Sequence, residues 1–137
     1  MPAFLPFRRL RWRCSVRAFM NGKLTPQAFA NKNADQFFYY TTPFFQDAQG
    51  TMQENALHRP ACDTLYFPIF SSPEACRNYT RKRGAMDCVF IRGTLQDALN
   101  ALDSHPLLAS FGIVIDPNTK RSVCIPPLVR VQPKCLR

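Results

Sequence analysis

The chain has 137 residues, 46% of them hydrophobic and only 20% charged, a balance that excludes wholesale disorder. No apolar run approaches the roughly 18 residues that a membrane-spanning helix needs. Lys and Arg number 18 against 9 Asp and Glu, and the resulting formal charge of +9 puts anionic partners first among those to consider.

That charge is uneven. Arg8, Arg9, Arg11, Arg13, Arg17, Lys23 and Lys32 give residues 1–34 a charge of +7 with no acid. Lys120, Arg121, Arg130, Lys134 and Arg137 give residues 117–137 a further +5, while residues 35–116 carry six bases and nine acids. Two cationic ends therefore flank a mildly acidic body. Such ends suit nucleic acid, an anionic membrane surface or an acidic protein. The plainer alternative is that the arginines only solubilise an exposed helix face.

Trp12, Val16 and Phe19 stand at i, i+4 and i+7, which predicts a basic N-terminal helix over 8–21 with one apolar stripe. Asn21-Gly22 stops it, since glycine takes the left-handed conformation that ends helices. Thr25-Pro26 starts a short second helix, threonine as cap and proline in the first position. Leu24 and Phe29 are expected to fold that helix onto the first. Gln36 to Thr41 is aromatic and β-favouring, so it is a predicted strand that Pro43 ends. The polar stretch from Gln46 to Asn55, with Gly50 central, reads as turn-like. Thr64 to Phe70 is a second apolar strand. Pro68 lacks a ladder donor, which places that strand at a sheet edge or beside a bulge.

Ser72-Pro73-Glu74 opens a helix in the order cap, proline, acid, with Cys76 and Tyr79 on its inner face. Arg81, Lys82 and Arg83 close it, where cations suit the negative dipole end, and Gly84 stops it. Met86 to Ile91 is a predicted strand, placed centrally because its second half is continuously apolar. Thr94 and Asp97 have capping-box spacing, and Leu95, Ala98, Leu99 and Leu102 follow at helical intervals. Gly112 to Ile115, the turn Asp116-Pro117-Asn118-Thr119, and Ser122 to Ile125 make a closing β-hairpin. A Pro-rich basic tail over 126–137, with Pro126, Pro127 and Pro133, is extended. The order α-α-β-β-α-β-α-β-β predicts one α+β domain over 1–137, a mixed, mostly antiparallel sheet of about five strands with helices packed on it. No internal repeat or linker divides the chain.

Leu65 to Ala75 resembles the strand, phenylalanine, small hydroxyl residues and acid-led helix of the SseB amino-terminal domain. Thr94 to Leu99 fits the following helix of that family, and Gly112 to Pro117 is similar to its glycine-led strand ending in a polar residue and proline. Phe19 to Thr25 fits the lead-in, so the resemblance spans residues 16–127. Asp116 stands where the family usually has asparagine, the family's carboxy-terminal domain does not follow before Arg137, and basic ends are not a family hallmark. The resemblance implies an SseB-like α/β domain, bacterial and cytosolic, used for association and with no established active site. No functional residue is carried over from it.

The six cysteines, at 14, 62, 76, 88, 124 and 135, form no C-x-x-C pair. Neither His58 nor His105 stands at finger-like spacing from two of them. The apolar stretch from Ala3 to Phe7 is too short for a secretory signal and precedes the arginines. Free cysteines in a reducing, cytoplasmic setting are therefore expected, Cys88 and Cys124 acting as small apolar residues in strands. The acid-free, Arg-rich start also looks like a mitochondrial presequence, the alternative location.

Nucleophilic catalysis has candidates by type in Cys88 or Ser104, His105 and Asp103, but His105 precedes Pro106 at a helix exit, where histidine suits a cap. A metal at His58 and Cys62 lacks two further ligands. The glycines at 22, 50, 84, 93 and 112 make no phosphate loop. Hence no catalytic residue, cofactor or metal is expected, and the chain is read as non-enzymatic. A protein partner is expected at the sheet edge beside Pro68 or on the aromatic stretch, with Phe37, Tyr39 and Pro68 as contacts. The alternative is nucleic acid, held by Arg8, Arg9, Arg11, Arg13, Arg17, Arg81, Lys82, Arg83, Lys120 and Arg121. Trp12, Phe7 or Tyr79 would supply stacking. A small anti-defence protein of phage type fits either reading. Oligomeric state and the partner's identity stay open.

Overall fold

A computed structural model of the chain describes residues 5–42, 44–46, 49, 52–54, 65–82, 89–104, 106, 108–127 and 129–131. Helix α1 runs Leu5–Met20, beginning one turn earlier than the apolar stripe alone indicates. Gly22, at φ +74°, turns the chain out of it. Its last carbonyls are closed by Lys23 N–H to Ala18 O at 2.8 Å and Gly22 N–H to Phe19 O at 3.1 Å. Helix α2, Pro26–Lys32, is capped as expected, Thr25 Oγ1 accepting from Ala28 N–H at 3.1 Å. The indole of Trp12 meets Phe29 and Phe38 edge-on, ring centroids 5.5 and 5.2 Å apart, and Phe19 lies 5.2 Å from Phe29. The apolar stripe of α1 is therefore its core face.

The strands are β1 Phe37–Thr41, β2 Phe44–Gln46, β3 Met52–Glu54, β4 Tyr66–Ile69, β5 Phe90–Thr94, β6 Gly112–Ile115 and β7 Val123–Ile125. Helices α3, Pro73–Lys82, and α4, Leu95–Asp103, complete the described elements. β1 and β5 pair antiparallel, Phe37 opposite Thr94. β4 and β6 pair parallel, Tyr66 opposite Gly112, and β7 returns antiparallel on β6, Ile113 opposite Ile125. Tyr39 and Phe70 exchange backbone bonds of 2.7 and 2.8 Å, which joins the two ladders in the order β5-β1-β4-β6-β7. This is the mixed, mostly antiparallel α+β arrangement that the order of elements indicates.

Alternation along the strands turns Phe38, Tyr40, Phe67, Ile69, Ile113, Ile115, Val123 and Ile125 to one face. There they share a buried core with Val16, Phe29, Leu95, Leu99 and Leu102 from α1, α2 and α4. Helix α3 covers the other face, Tyr79 against Phe70 at 5.2 Å and Cys76 fully buried. At the start of α4 both bonds of the capping box form, Asp97 N–H to Thr94 Oγ1 at 3.1 Å and Thr94 N–H to Asp97 Oδ2 at 2.9 Å.

Three sequence expectations need correction. β4 lies inside the sheet rather than at its edge, and Pro68 is buried. The backbone of Phe70 faces β1, so Pro68, two residues earlier, faces it too. Without a donor there, the contact of β1 with β4 contracts to one bridge. The strand expected centrally at Met86 to Ile91 is instead β5, Phe90–Thr94, which pairs with β1 alone among the described residues. Met86 to Cys88 lie outside the described residues, and Val89 and Phe90 are 60% and 51% exposed. The polar stretch read as turn-like contains the β2–β3 hairpin, Gln46 opposite Met52.

The turn after β6 is tied to the end of β4. Asp116 and Asn118 take φ of 51° and 65°, where Asp and Asn are the tolerated side-chain-bearing residues. The Asp116 carboxylate accepts the Ser71 N–H at 2.9 Å and the Ser71 Oγ–H at 2.7 Å. Thr119 Oγ1–H closes onto Asp116 O at 2.8 Å. Lys120 and Arg121 follow directly.

Two outcomes follow from the core. A Cβ at Gly112 would run into the Ile125 carbonyl and the Tyr66 ring, so Gly112→Ala is expected to cost about 2–3 kcal/mol in chemical denaturation. Burial, and then the charge of Asp97, raise the Tyr40 hydroxyl above the ordinary tyrosine pKa. The unfolded chain thus ionises first, and this contribution is intact below about pH 10 and declines as the pH rises above it. Tyr40→Phe is expected to flatten the alkaline loss of melting temperature. An equal loss in both proteins would exclude Tyr40 as its source.

Candidate anion-binding groove

Along α1 two stripes run side by side at four-residue intervals: Trp12, Val16 and Met20, then Arg13, Arg17 and Asn21. Trp12 meets Phe29 and Phe38, and Val16 is buried in the core, which fixes which way the second stripe points. Because α1 also packs against β7, the turn leading into β7 stands beside the helix. Between helix and turn lies a groove of about 440 Å³ whose walls carry both stripes together with Lys120 and Arg121. Val16, 4% exposed, is its floor, Trp12 is half-buried, and Met20 is 55% exposed. The four cations are exposed, and no acid among the described residues lines the groove.

The ion pairs among the described residues lie elsewhere. Arg11 meets Asp35 at 2.9 Å, so its charge is answered locally. Arg130 meets Asp103 at 2.9 Å and donates to Val129 O at 2.8 Å and Ala109 O at 3.2 Å. Gln27 Nε2–H donates to Arg130 O, which makes this arginine a clamp between the tail, α2 and the end of α4. Arg13, Arg17, Lys120 and Arg121 form no ion pair among the described residues.

The structure thus divides the sequence-predicted cations. Arg13 and Arg17 are brought together with Lys120 and Arg121 across about a hundred residues of chain. Arg8 and Arg9 lie in the first half of α1, Arg9 one turn ahead of Arg13. Arg81 and Lys82 are exposed at the end of α3, on the other side of the sheet, and Arg83 lies outside the described residues. Of the expected protein contacts, Phe37 is half-buried under Arg92, whose guanidinium lies 4.0 Å from the ring centroid. Tyr39 is half-buried, and Pro68 is interior and offers no edge. Sequence reasoning missed Met20 and Asn21, although both continue the four-residue spacing already visible in Trp12-Val16 and Arg13-Arg17.

The residues considered for catalysis are placed in part. Asp103 is engaged by Arg130, Ser104 Oγ–H donates to Ala101 O at 2.7 Å, and His105 and Cys88 lie outside the described residues. So do His58, Cys62 and Cys135. Cys14 is exposed, Cys76 buried and Cys124 partly buried. Among the described residues no three His, Cys, Asp or Glu gather into a metal site, and no helix is long and apolar enough to cross a membrane. No family model, curated protein or solved structure matches the chain.

The partition of charges has a direct readout. At constant ionic strength, inorganic phosphate is expected to raise the melting temperature, and Arg17→Ser to lose most of that rise. Arg11→Ser, whose charge Asp35 already answers, is expected to keep it. Equal loss in both variants would show that the groove cations have no special standing.

Proposed function

We propose that the protein is a non-enzymatic, cytoplasmic association module that binds nucleic acid through the groove between α1 and the β6–β7 turn. The observation that carries this reading is the meeting of four cations, without an ion pair among the described residues, from opposite ends of the chain beside an apolar wall. Arginines that merely keep a helix soluble need neither an opposing basic turn nor an exposed methionine among them. Phosphates supply the repeated negative charge that such a surface attracts. The resemblance to the SseB amino-terminal domain enters as part of the proposal and points the same way, to association rather than turnover.

A protein partner is the second reading, and a different observation favours it. β5 has no neighbour on its outer side among the described residues, and it begins at the exposed Val89 and Phe90. An extended peptide adding to that edge would be held by backbone bonds and by these side chains. Binding there would be insensitive to salt and lost on Val89→Lys.

Salt separates the two. With four phosphates neutralised, affinity for an oligonucleotide is expected to fall about 50- to 150-fold between about 50 and 200 mM salt. The combined change of Arg13, Arg17, Lys120 and Arg121 to Ser is expected to remove most of that dependence while leaving a cooperative melt. A binding curve flat in salt would overturn the nucleic-acid reading.

A further inference from the structure

Resting on the nucleic-acid reading above, we infer that the groove is a seat for unpaired nucleotides, so that the protein takes single strands in preference to duplex. The groove has two kinds of wall. The cationic one, from Arg13, Arg17 and the turn residues Lys120 and Arg121, suits phosphates. The apolar one, from Trp12 to Met20, suits base faces, and a duplex keeps its base faces hidden within the stack.

Spacing agrees with this division. Four residues of helix rise about 6 Å, the same order as the step between successive phosphates of an extended strand. Trp12 to Met20 therefore measures about 12 Å, room for about two nucleotides lying along α1. Trp12 with Arg13, and Met20 with Arg17, would each offer an apolar side chain and a cation. Trp12 is held edge-on by Phe29 and Phe38, so stacking on it needs no new ordering of the indole. Met20, exposed and soft, adapts to whichever base lies on it.

Geometry opposes the duplex. A helix that reads double-stranded DNA enters the major groove with its basic face free on both sides. Here Lys120 and Arg121 line the groove with Arg13 and Arg17, so one side of that face is shared with the turn. The groove, about 440 Å³, is large enough to take a nucleotide.

Trp12 is the only tryptophan in the chain, so its fluorescence reports directly on the groove. The test titrates the full chain with a short single-stranded oligonucleotide, its duplex, inorganic polyphosphate and polyglutamate. The single strand is expected to quench Trp12 and to bind about ten-fold tighter than the duplex at equal phosphate concentration. Polyphosphate should bind without comparable quenching, and polyglutamate more weakly still. Met20→Ser should weaken the single strand several-fold, leave polyphosphate unchanged and melt as the parent does. Duplex binding as tight as single strand, or polyphosphate quenching as deep, would overturn the inference while the nucleic-acid reading stood. Tighter binding of polyglutamate than of either oligonucleotide would overturn both.

Discussion

The seating of α1 on an aromatic floor is the contact on which the rest of the arrangement depends. Trp12, Val16 and Phe19 enter the space over Phe29 and Phe38, and this fixes both the position and the rotation of the helix. Burying side chains of this size contributes on the order of 2 kcal/mol each. Repulsion between exposed like charges a helical turn apart is below about 1 kcal/mol in water and is screened by salt. Burial wins, so a helix carrying five arginines stays docked and presents Arg13 and Arg17 toward the turn before β7.

The carboxy-terminal side is positioned by different chemistry. Asp116 accepts two hydrogen bonds from Ser71 and thereby holds the turn that bears Lys120 and Arg121 to the end of β4. Farther on, Arg130 binds Asp103 and two carbonyls, which fastens the tail beside α2 and α4. One cation of that basic end is consumed in structure, and two are left facing α1. Each end is thus anchored through neutral or neutralised groups, and the charges that meet in the groove are those with no structural employment.

Local chemistry was legible in the residues wherever it acts over a few positions. Thr25-Pro26 capped its helix, Thr94 and Asp97 formed their box, Leu95, Ala98, Leu99 and Leu102 became a core face, and Gly112 to Ile125 folded back on itself. Strand neighbours were not legible. An apolar run such as Cys88 to Ile91 says that side chains favour β structure, yet not how many strands flank them. β5 accordingly proved to border the sheet, with Phe90 half in solvent. Pro68 misled for a related reason. A missing donor constrains only one side of a strand, and a parallel partner on the other side, β6, satisfied the rest. The β2–β3 pair was hidden because polar composition marks turns and short strands alike. As for the groove, both charge blocks were visible from the start, but their meeting is a tertiary event set by α1 lying against β7.

Among the described residues, the acids are employed away from the groove. Glu74 and Asp97 sit in the first turns of α3 and α4, Asp116 holds Ser71, Asp35 pairs with Arg11, and Asp103 pairs with Arg130. Each has a local structural task. An acid at Asn21 or in the turn near Arg121 would answer the groove cations without disturbing any of these, since both positions are exposed. Packing among the described residues gains nothing from leaving Arg13, Arg17, Lys120 and Arg121 without an ion pair. Local rules broken with no structural return mark functional surface more often than accident. Here the breach consists of like charges and an exposed methionine on the same walls, a combination that solvent alone does not favour.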